Sequence, residues 1–81
     1  MENIYNATRQ VNELFNKNDV RGTAYPLKDN ILEVHIDGDW KHDHIYGKDL
    51  LSRNYNCDIE CVRVYDSDSD WYEAVYHVTI N

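Results

Sequence analysis

The first hydrophobic pattern along the chain is that of an amphipathic helix. Six residues recur at helical spacing and cover one face of about 120°: Ile4, Ala7, Thr8, Val11, Leu14 and Phe15. Asn3 is placed to cap the N-terminus of this helix, and Asn18 to end it, with Lys17 in the last turn, where the helix dipole favours a positive charge. The pattern predicts a helix over residues 4–17.

A β-hairpin is predicted next, from residues 20–27 and 31–37. The second of these segments alternates and places three apolar side chains on one face: Leu32, Val34 and Ile36. The intervening residues 28–30, Lys-Asp-Asn, are typical of a turn. Pro26 lacks the N–H that a strand ladder needs, so the first segment is predicted to be an edge strand.

The dipeptide Asp37-Gly38 predicts a break, and residues 39–55 are interpreted as a second helix. Asp39 is its predicted N-cap, and the basic residues toward its end are in the position that the helix dipole favours. Its inward face is less regular than that of the first helix. Ile45 falls outside the stripe formed by Trp40, His44, Gly47, Leu51 and Tyr55.

The C-terminal segment predicts two strands, residues 57–65 and 71–80, joined by the five-residue acidic loop 66–70. The last strand alternates clearly between two faces. The strand before it does not, because two apolar pairs compete for its buried face: Ile59 and Cys61 against Val62 and Val64. We therefore expect that strand to be central and covered on both faces.

The element order is therefore α-β-β-α-β-β in a single domain, residues 1–81. The expected fold class is α+β, with one four-stranded antiparallel sheet and both helices packed on one of its faces. A chain of 81 residues buries only roughly 60–65% of the surface that its unfolded form exposes, so its core is expected to be small.

Charge is unevenly distributed along the chain. The formal net charge is −7, from 15 acids and 8 bases. Between residues 58 and 81 there are six acids and a single base, Arg63. Such a field repels phosphate backbones and attracts basic surfaces. Direct nucleic-acid binding is therefore disfavoured, and a basic protein surface is the expected partner.

The sequence contains no predicted targeting segment. No apolar run is long enough to cross a bilayer, and the N-terminus lacks the basic start, apolar middle and cleavage site of a signal peptide. A cytoplasmic location is expected, with Cys57 and Cys61 as reduced thiols. On one strand these two cysteines would lie about 13 Å apart, too far for a disulfide.

Two histidines and two aspartates lie within residues 38–44, a density that suggests a metal site. The candidate ligands are Asp39, His42, Asp43 and His44. On a helix, residues two apart lie about 200° apart around the axis, so the two histidines cannot share an ion. The helical interpretation directs His44 toward the sheet, bonded to a backbone carbonyl, and His42 toward solvent. We therefore expect a helix entrance there, with no metal site and no catalytic residue.

Motifs for other chemistries are absent. Residues 66–70 match the D-x-D-x-D start of an EF-hand, but Trp71 stands where glycine is needed and His77 where a bidentate glutamate is needed. No nucleophile elbow, phosphate-binding glycine loop or H-E-x-x-H motif occurs. The sequence therefore predicts a protein that is not an enzyme and needs no cofactor.

Aromatic residues accompany the acidic ones in the C-terminal part of the chain. Some of the seven tyrosines are expected in the core, around Tyr72 and Tyr76. Tyr65 and Trp71 border the acidic loop, and aromatic rings beside carboxylates suit an arginine-rich partner. The candidate partner-binding residues are Asp58, Glu60, Tyr65, Asp66, Asp68, Asp70, Trp71 and Glu73.

In size, acidic charge and α+β composition, the chain resembles the small inhibitor proteins of phages and mobile elements, such as anti-CRISPR proteins and other DNA mimics. This resemblance implies an inhibitor whose carboxylates imitate a phosphate track and occupy the basic groove of a nucleic-acid enzyme or defence complex. The carboxylates to which it assigns that role are Asp58, Glu60, Asp66, Asp68, Asp70 and Glu73.

Two other functions remain open. One is a structural or assembly protein that forms a homodimer through the edge strand containing Pro26 or through the sheet face. The other is a small metal- or histidine-dependent enzyme that uses residues 38–44. Salt sensitivity distinguishes an assembly protein from one that docks through charge, since salt screening weakens contacts between charges far more than apolar contacts.

Overall fold

The protein forms an antiparallel sheet with its helices on one side, as the sequence predicts. This computed structural model describes residues 3–68 and 71–81, and for residues 66–68 and 71 it describes the backbone alone. The elements in chain order are α1 (Ile4–Lys17), β1 (Gly22–Lys28), β2 (Ile31–Asp39), a π-helical segment (Trp40–Ile45), α2 (Tyr46–Asn54), β3 (Cys57–Asp68) and β4 (Trp71–Ile80). The α+β fold class and the order of its elements are therefore confirmed.

The four strands are arranged in the order β1-β2-β4-β3. Both β2 and β3 run antiparallel to β4, so they are parallel to each other with β4 between them. The connection from β2 to β3 is therefore a crossover, made by the π-helical segment and α2. β1 is one edge of the sheet, which confirms the prediction from Pro26.

The prediction of a central strand between residues 57 and 65 is wrong, because β3 is the other edge of the sheet. Its confusing pattern comes from a β-bulge between Cys61 and Arg63. Before the bulge, Ile59 lies opposite Val78; after it, Val64 lies opposite Ala74. The extra residue at the bulge shifts the alternation by one position. Ile59 and Val64 therefore lie on the same face of the strand, although a regular alternation would put them on opposite faces.

The core fills the space between one sheet face and the helices. Its buried residues come from α1, the loop after α1, α2 and strands β1, β2 and β4: Val11, Phe15, Val20, Ala24, Leu32, Val34, Ile36, Leu50, Leu51, Ala74, Tyr76 and Val78. Since α1 and α2 both contribute to this single cluster, both helices lie on the same side of the sheet. Among the described residues, no helix is both long enough and apolar enough to span a membrane.

The boundaries of α1 agree with the sequence prediction. The Asn3 side chain accepts a hydrogen bond from the Tyr5 amide at 2.8 Å, and Asn18 is the C-cap. Val20 donates its amide hydrogen to the Phe15 carbonyl at 2.9 Å, a bond that closes the helix end and leads the chain into β1.

Two predicted boundaries are wrong. The expected break at Asp37-Gly38 is absent, because β2 continues through Gly38 to Asp39. The expected five-residue loop 66–70 is shorter, because β3 continues to Asp68 and β4 begins at Trp71. In both places residues typical of turns remain in the ladder because pairing with β4 persists beyond the apolar segment, and pairing context outweighs intrinsic preference in strands.

Candidate functional site

Asp43, one of the four candidate metal ligands, is a buried structural carboxylate. It is 3% exposed. Its Oδ1 atom accepts a hydrogen bond from the Arg21 amide at 2.9 Å, and its Oδ2 atom accepts one from the Asp39 amide at 2.9 Å. The carboxylate therefore ties the start of β1 and the end of β2 to the first turn of the second helical region, and both oxygens are used in doing so.

His44, which follows it, is fully buried against the sheet. Its Nε2 atom lies 3.2 Å from the carbonyl oxygens of Gly38 and Tyr72, and its Nδ1 atom lies 3.1 Å from the Tyr76 hydroxyl. Because carbonyls only accept, Nε2 carries the hydrogen, and the Tyr76 hydroxyl donates to Nδ1. The prediction of a core-facing histidine bonded to a backbone carbonyl is confirmed.

The other two candidate ligands point elsewhere. Asp39 caps the π-helical segment by accepting a hydrogen bond from the His42 amide, as predicted. The exposed His42 ring contacts the Asp19 carbonyl, with Nε2 at 3.0 Å from the oxygen. Among the side chains that the structure describes, those of residues 3–65 and 72–81, no group of three or more histidine, cysteine, aspartate or glutamate residues is arranged to hold a metal ion.

One aromatic residue of this region, Trp40, differs in exposure from the expected inward stripe. Trp40 was predicted to face the sheet, but it is 44% exposed and stacks on the outer side of His44, with ring centroids 5.6 Å apart. The Lys48 ammonium lies 5.2 Å from the Trp40 ring. The segment Gly38–His44 is thus a packed helix entrance in which the Trp40 ring covers His44 and is itself partly exposed to solvent.

Burial raises the pKa of Tyr76 to about 12, and the negative charge of Cys61 adds to the effect. In the unfolded chain a tyrosine ionises near pH 10. Between these two pH values the unfolded state therefore loses this proton while the folded state keeps it, so the contribution of Tyr76 to stability is present below about pH 10 and is lost as the pH rises toward 12.

We expect the free energy of unfolding to fall by roughly 2–3 kcal/mol between about pH 10 and pH 12 through Tyr76 alone. Urea unfolding at several pH values measures this fall. Tyr76→Phe is the control, since it removes the ionising hydroxyl and should flatten the curve over that interval. Equal slopes for the two proteins would show that Tyr76 is not the group responsible.

No described helix or strand covers the sheet face opposite the helices, and we call it the open face. By strand register, its residues are Thr23, Tyr25, Lys28, Ile31, Glu33, His35, Asp37, Asp58, Glu60, Arg63, Tyr65, Glu73, Val75, His77 and Thr79. Val75 at its centre is only 1% exposed although no layer covers this face. Its cross-strand neighbours are His35 and Arg63. The surrounding side chains therefore pack over Val75.

Four of the predicted partner-binding residues lie on this open face, with Arg63 in the row between Glu60 and the Tyr65–Glu73 pair: Asp58, Glu60, Tyr65 and Glu73. Tyr65 is directly opposite Glu73, and all four are exposed. Asp66, Asp68 and Trp71 belong to β3 and β4, where Asp66 is in register with Tyr72 and Asp68 with Trp71, but their side chains lie outside the described part of the chain. Asp70 lies outside the described residues altogether.

The open face also contains charged residues that sequence reasoning did not assign to the site. Pairing of β2 with β4 brings Glu33, His35 and Asp37 beside Glu73 and His77. The alternation of residues 31–37 already placed these three polar residues on one side of a strand. That pattern does not show which strand pairs with β2. The proximity of these three residues to Glu73 therefore could not be predicted from it.

Charge is segregated between the two layers of the molecule. The strands contain eight acids and two bases: Glu33, Asp37, Asp39, Asp58, Glu60, Asp66, Asp68 and Glu73, with Lys28 and Arg63. The helical segments contain three acids and five bases: Glu13, Asp43 and Asp49, with Arg9, Lys17, Lys41, Lys48 and Arg53. The strands therefore have more acids than bases and the helical segments more bases than acids, while the remaining four acids and one base lie in the connections and at the N-terminus.

The two cysteines are free thiols on β3. Cys57 is half-buried, and burial, with the nearby Asp58 carboxylate as a smaller cause, raises the pKa of its thiol. Cys61 is exposed. A raised pKa keeps the Cys57 thiol protonated and therefore unreactive, which agrees with a structural role.

Comparisons of the chain with protein-family models, with curated proteins and with solved structures found no match.

Proposed function

We propose that the protein is an acidic interaction module that docks its open sheet face on a basic surface of a partner protein. The supporting observation is the segregation of charge between layers, with eight acids and two bases in the strands. A surface that concentrates one sign of charge attracts partners of the opposite sign and orients them during encounter. The docking centre is the acidic rim, defined as Asp58, Glu60, Tyr65 and Glu73.

Two tyrosines at the edges of the open face support an arginine-rich partner. Tyr25 on β1 is 50% exposed and Tyr65 on β3 is 52% exposed, so each presents an aromatic surface beside carboxylates. Guanidinium groups bind carboxylates in a planar fork and also stack on aromatic rings. A lysine-rich surface gains the charge attraction but less of the stacking.

The partner class that we propose is a nucleic-acid enzyme whose basic groove the open face occupies, so that the protein acts as an inhibitor. Such grooves already bind a regular row of negative charges, and electrostatic attraction supplies much of that affinity. The same acidic face repels nucleic acid. The protein is therefore expected to bind the enzyme and not the nucleic acid on which the enzyme acts.

A binding experiment with matched charge variants tests the docking surface. The probe is a synthetic oligoarginine peptide, titrated into the protein at about 50 mM and about 500 mM salt. We expect the double variant Glu60→Gln/Glu73→Gln to bind the peptide roughly tenfold more weakly than the wild type at low salt, and high salt to remove the difference.

The matched control removes the same number of charges from the helical layer, through Glu13→Gln/Asp49→Asn. Both of these acids form exposed ion pairs within their helices, Arg9 to Glu13 at 3.1 Å and Arg53 to Asp49 at 2.9 Å, so the fold tolerates their loss. This control should bind the peptide within about twofold of the wild type. Equal weakening by the two double variants would refute docking through the open face.

The partner class is tested by capture followed by competition. The protein is used to retain nucleic-acid enzymes from a lysate at low salt, and each retained enzyme is purified and offered duplex DNA in the presence of the protein. We expect the wild type to displace DNA from the enzyme and Glu60→Gln/Glu73→Gln to do so much less. An enzyme that binds DNA and the protein simultaneously would contradict occupation of its groove.

A further inference from the structure

One carboxylate near the centre of the open face lies between two histidines. The Glu33 side chain places Oε2 at 3.4 Å from Nε2 of His35 and Oε1 at 3.6 Å from Nε2 of His77. His77 is directly opposite Glu33 across the β2–β4 pair, and His35 is two residues along β2 on the same face. The three side chains are 27–36% exposed, so solvent protons reach both rings.

The charged groups directly opposite His77 are both acidic, and the other cross-strand neighbours of the two rings are uncharged. His77 has Glu33 opposite on β2 and Glu60 opposite on β3, with Thr79 and Val75 as its neighbours along β4. The His35 ring meets the edge of the Tyr25 ring, with centroids 5.3 Å apart. Its cross-strand partners, Thr23 and Val75, are uncharged.

The remaining charges near this cluster are on the same sheet face. Asp37 lies two residues beyond His35 on β2, and Asp58 lies two residues before Glu60 on β3. Three bases lie near the cluster. Arg63 is opposite Val75 on β3 and Lys28 is opposite Ile31 on β1, each one row from the Glu33–His77 pair in the strand register. Arg21 precedes β1, and its carbonyl accepts a hydrogen bond from the Asp37 amide at 2.8 Å. Among residues 3–68 and 71–81, no second layer packs on this face, so the charges near the two rings are those of the sheet and its connections.

We propose that His35 and His77 make the docking of a cationic partner dependent on pH, with strong binding at neutral and alkaline pH and release in mild acid. This inference rests on the docking function proposed above. Histidine changes charge between about pH 5 and pH 8, a range in which arginine stays charged and carboxylates stay ionised. The pH dependence of docking, which we call the switch, therefore arises from the imidazole rings of His35 and His77.

Protonation weakens docking in two ways. Two imidazolium charges appear within the surface that attracts the partner, and like charges repel an incoming guanidinium. In addition, both Glu33 oxygens then pair with imidazolium Nε2–H groups, so this carboxylate no longer offers a free pair of acceptors to the partner. Conversely, a bound cationic partner favours the neutral rings, so binding and proton release are linked.

The test measures the affinity of the synthetic oligoarginine peptide at about pH 8 and about pH 5.5, at constant ionic strength. The wild type is expected to bind roughly tenfold more weakly at the lower pH. His35→Gln/His77→Gln should bind about equally at the two pH values, because glutamine is neutral throughout. His42→Gln removes an exposed histidine from the helical layer and should retain the full pH dependence of the wild type.

Nuclear magnetic resonance of the imidazole rings gives a second readout in the unmodified protein. At a fixed pH, saturating peptide should shift the imidazole resonances of His35 and His77 and leave those of His42 unchanged. The outcomes separate the two proposals. Absence of peptide binding at any pH overturns the docking function. Equal binding by the wild type at both pH values, or a pH dependence that persists in His35→Gln/His77→Gln, overturns the switch and leaves docking intact.

Discussion

Gly38→Ala is expected to destabilise the protein by roughly 3 kcal/mol, a large part of the stability of a domain of this size. A β-carbon at this position would lie 1.9 Å from Oδ2 and 2.3 Å from Cγ of Asp43. The carboxylate cannot withdraw without breaking its hydrogen bonds to the Arg21 and Asp39 amides, which would then be left unpaired.

Backbone conformation does not contribute to this effect. None of the described glycines has a positive φ angle, so alanine is able to adopt the conformation of Gly38. The destabilisation should therefore depend on Asp43. In an Asp43→Ala background the nearest remaining atom is the Cβ of residue 43, at 2.7 Å, so the additional effect of Gly38→Ala should be smaller but not zero.

Gly47→Ala provides the matched control for urea unfolding measurements. Its new β-carbon would meet Ile36 Cδ1 at 3.2 Å and Val20 Cγ1 at 3.3 Å, contacts that are tight but far longer than those at Gly38 and that small shifts of these side chains relieve. Alanine also favours the α-helix over glycine by about 1 kcal/mol, which offsets the tight contact. A net change within about 1 kcal/mol is expected. Similar losses for the two glycine substitutions would show that the Asp43 carboxylate is not the obstacle.

The sequence predicts the elements whose apolar residues follow one period without interruption. α1 is correct at both ends because its stripe and its caps agree. β3 was misplaced in the sheet because one inserted residue, at the bulge, reverses the alternation, and a bulge leaves no local signature in residues such as Val62. Strand order is equally hidden, since the β2–β4 pair joins segments about 40 residues apart in the chain.

The helix entrance at residues 38–44 and the open face differ in how much of each the sequence predicts. The outward His42 and inward His44 follow from helical geometry, and that inference required only their spacing. The anchoring role of Asp43 did not follow, because its acceptors serve amides at Arg21 and Asp39, one of which is 22 residues away. The pairing of Glu33 with His77 was invisible for the same reason as strand order. It becomes apparent only when the sheet register is known.

His44→Ala is expected to lower the free energy of unfolding by roughly 3–4 kcal/mol. The substitution removes a fully buried ring, leaving a cavity beneath Trp40, and it deprives the Tyr76 hydroxyl of its acceptor and two carbonyls of their donor. His42→Ala removes the same type of side chain two residues earlier, but from solvent, and should change stability by less than about 0.5 kcal/mol.

This pair of variants also distinguishes the helix entrance from a metal site in the segment Gly38–His44. If His42 and His44 shared a zinc ion, added zinc would raise the unfolding midpoint of the wild type, and each substitution would abolish that rise to the same extent. The contacts of the two rings lead to the opposite expectation. Zinc should leave the wild-type midpoint unchanged, and the loss of stability should be confined to His44→Ala, because only that ring holds the sheet, the helix entrance and the Tyr76 hydroxyl together.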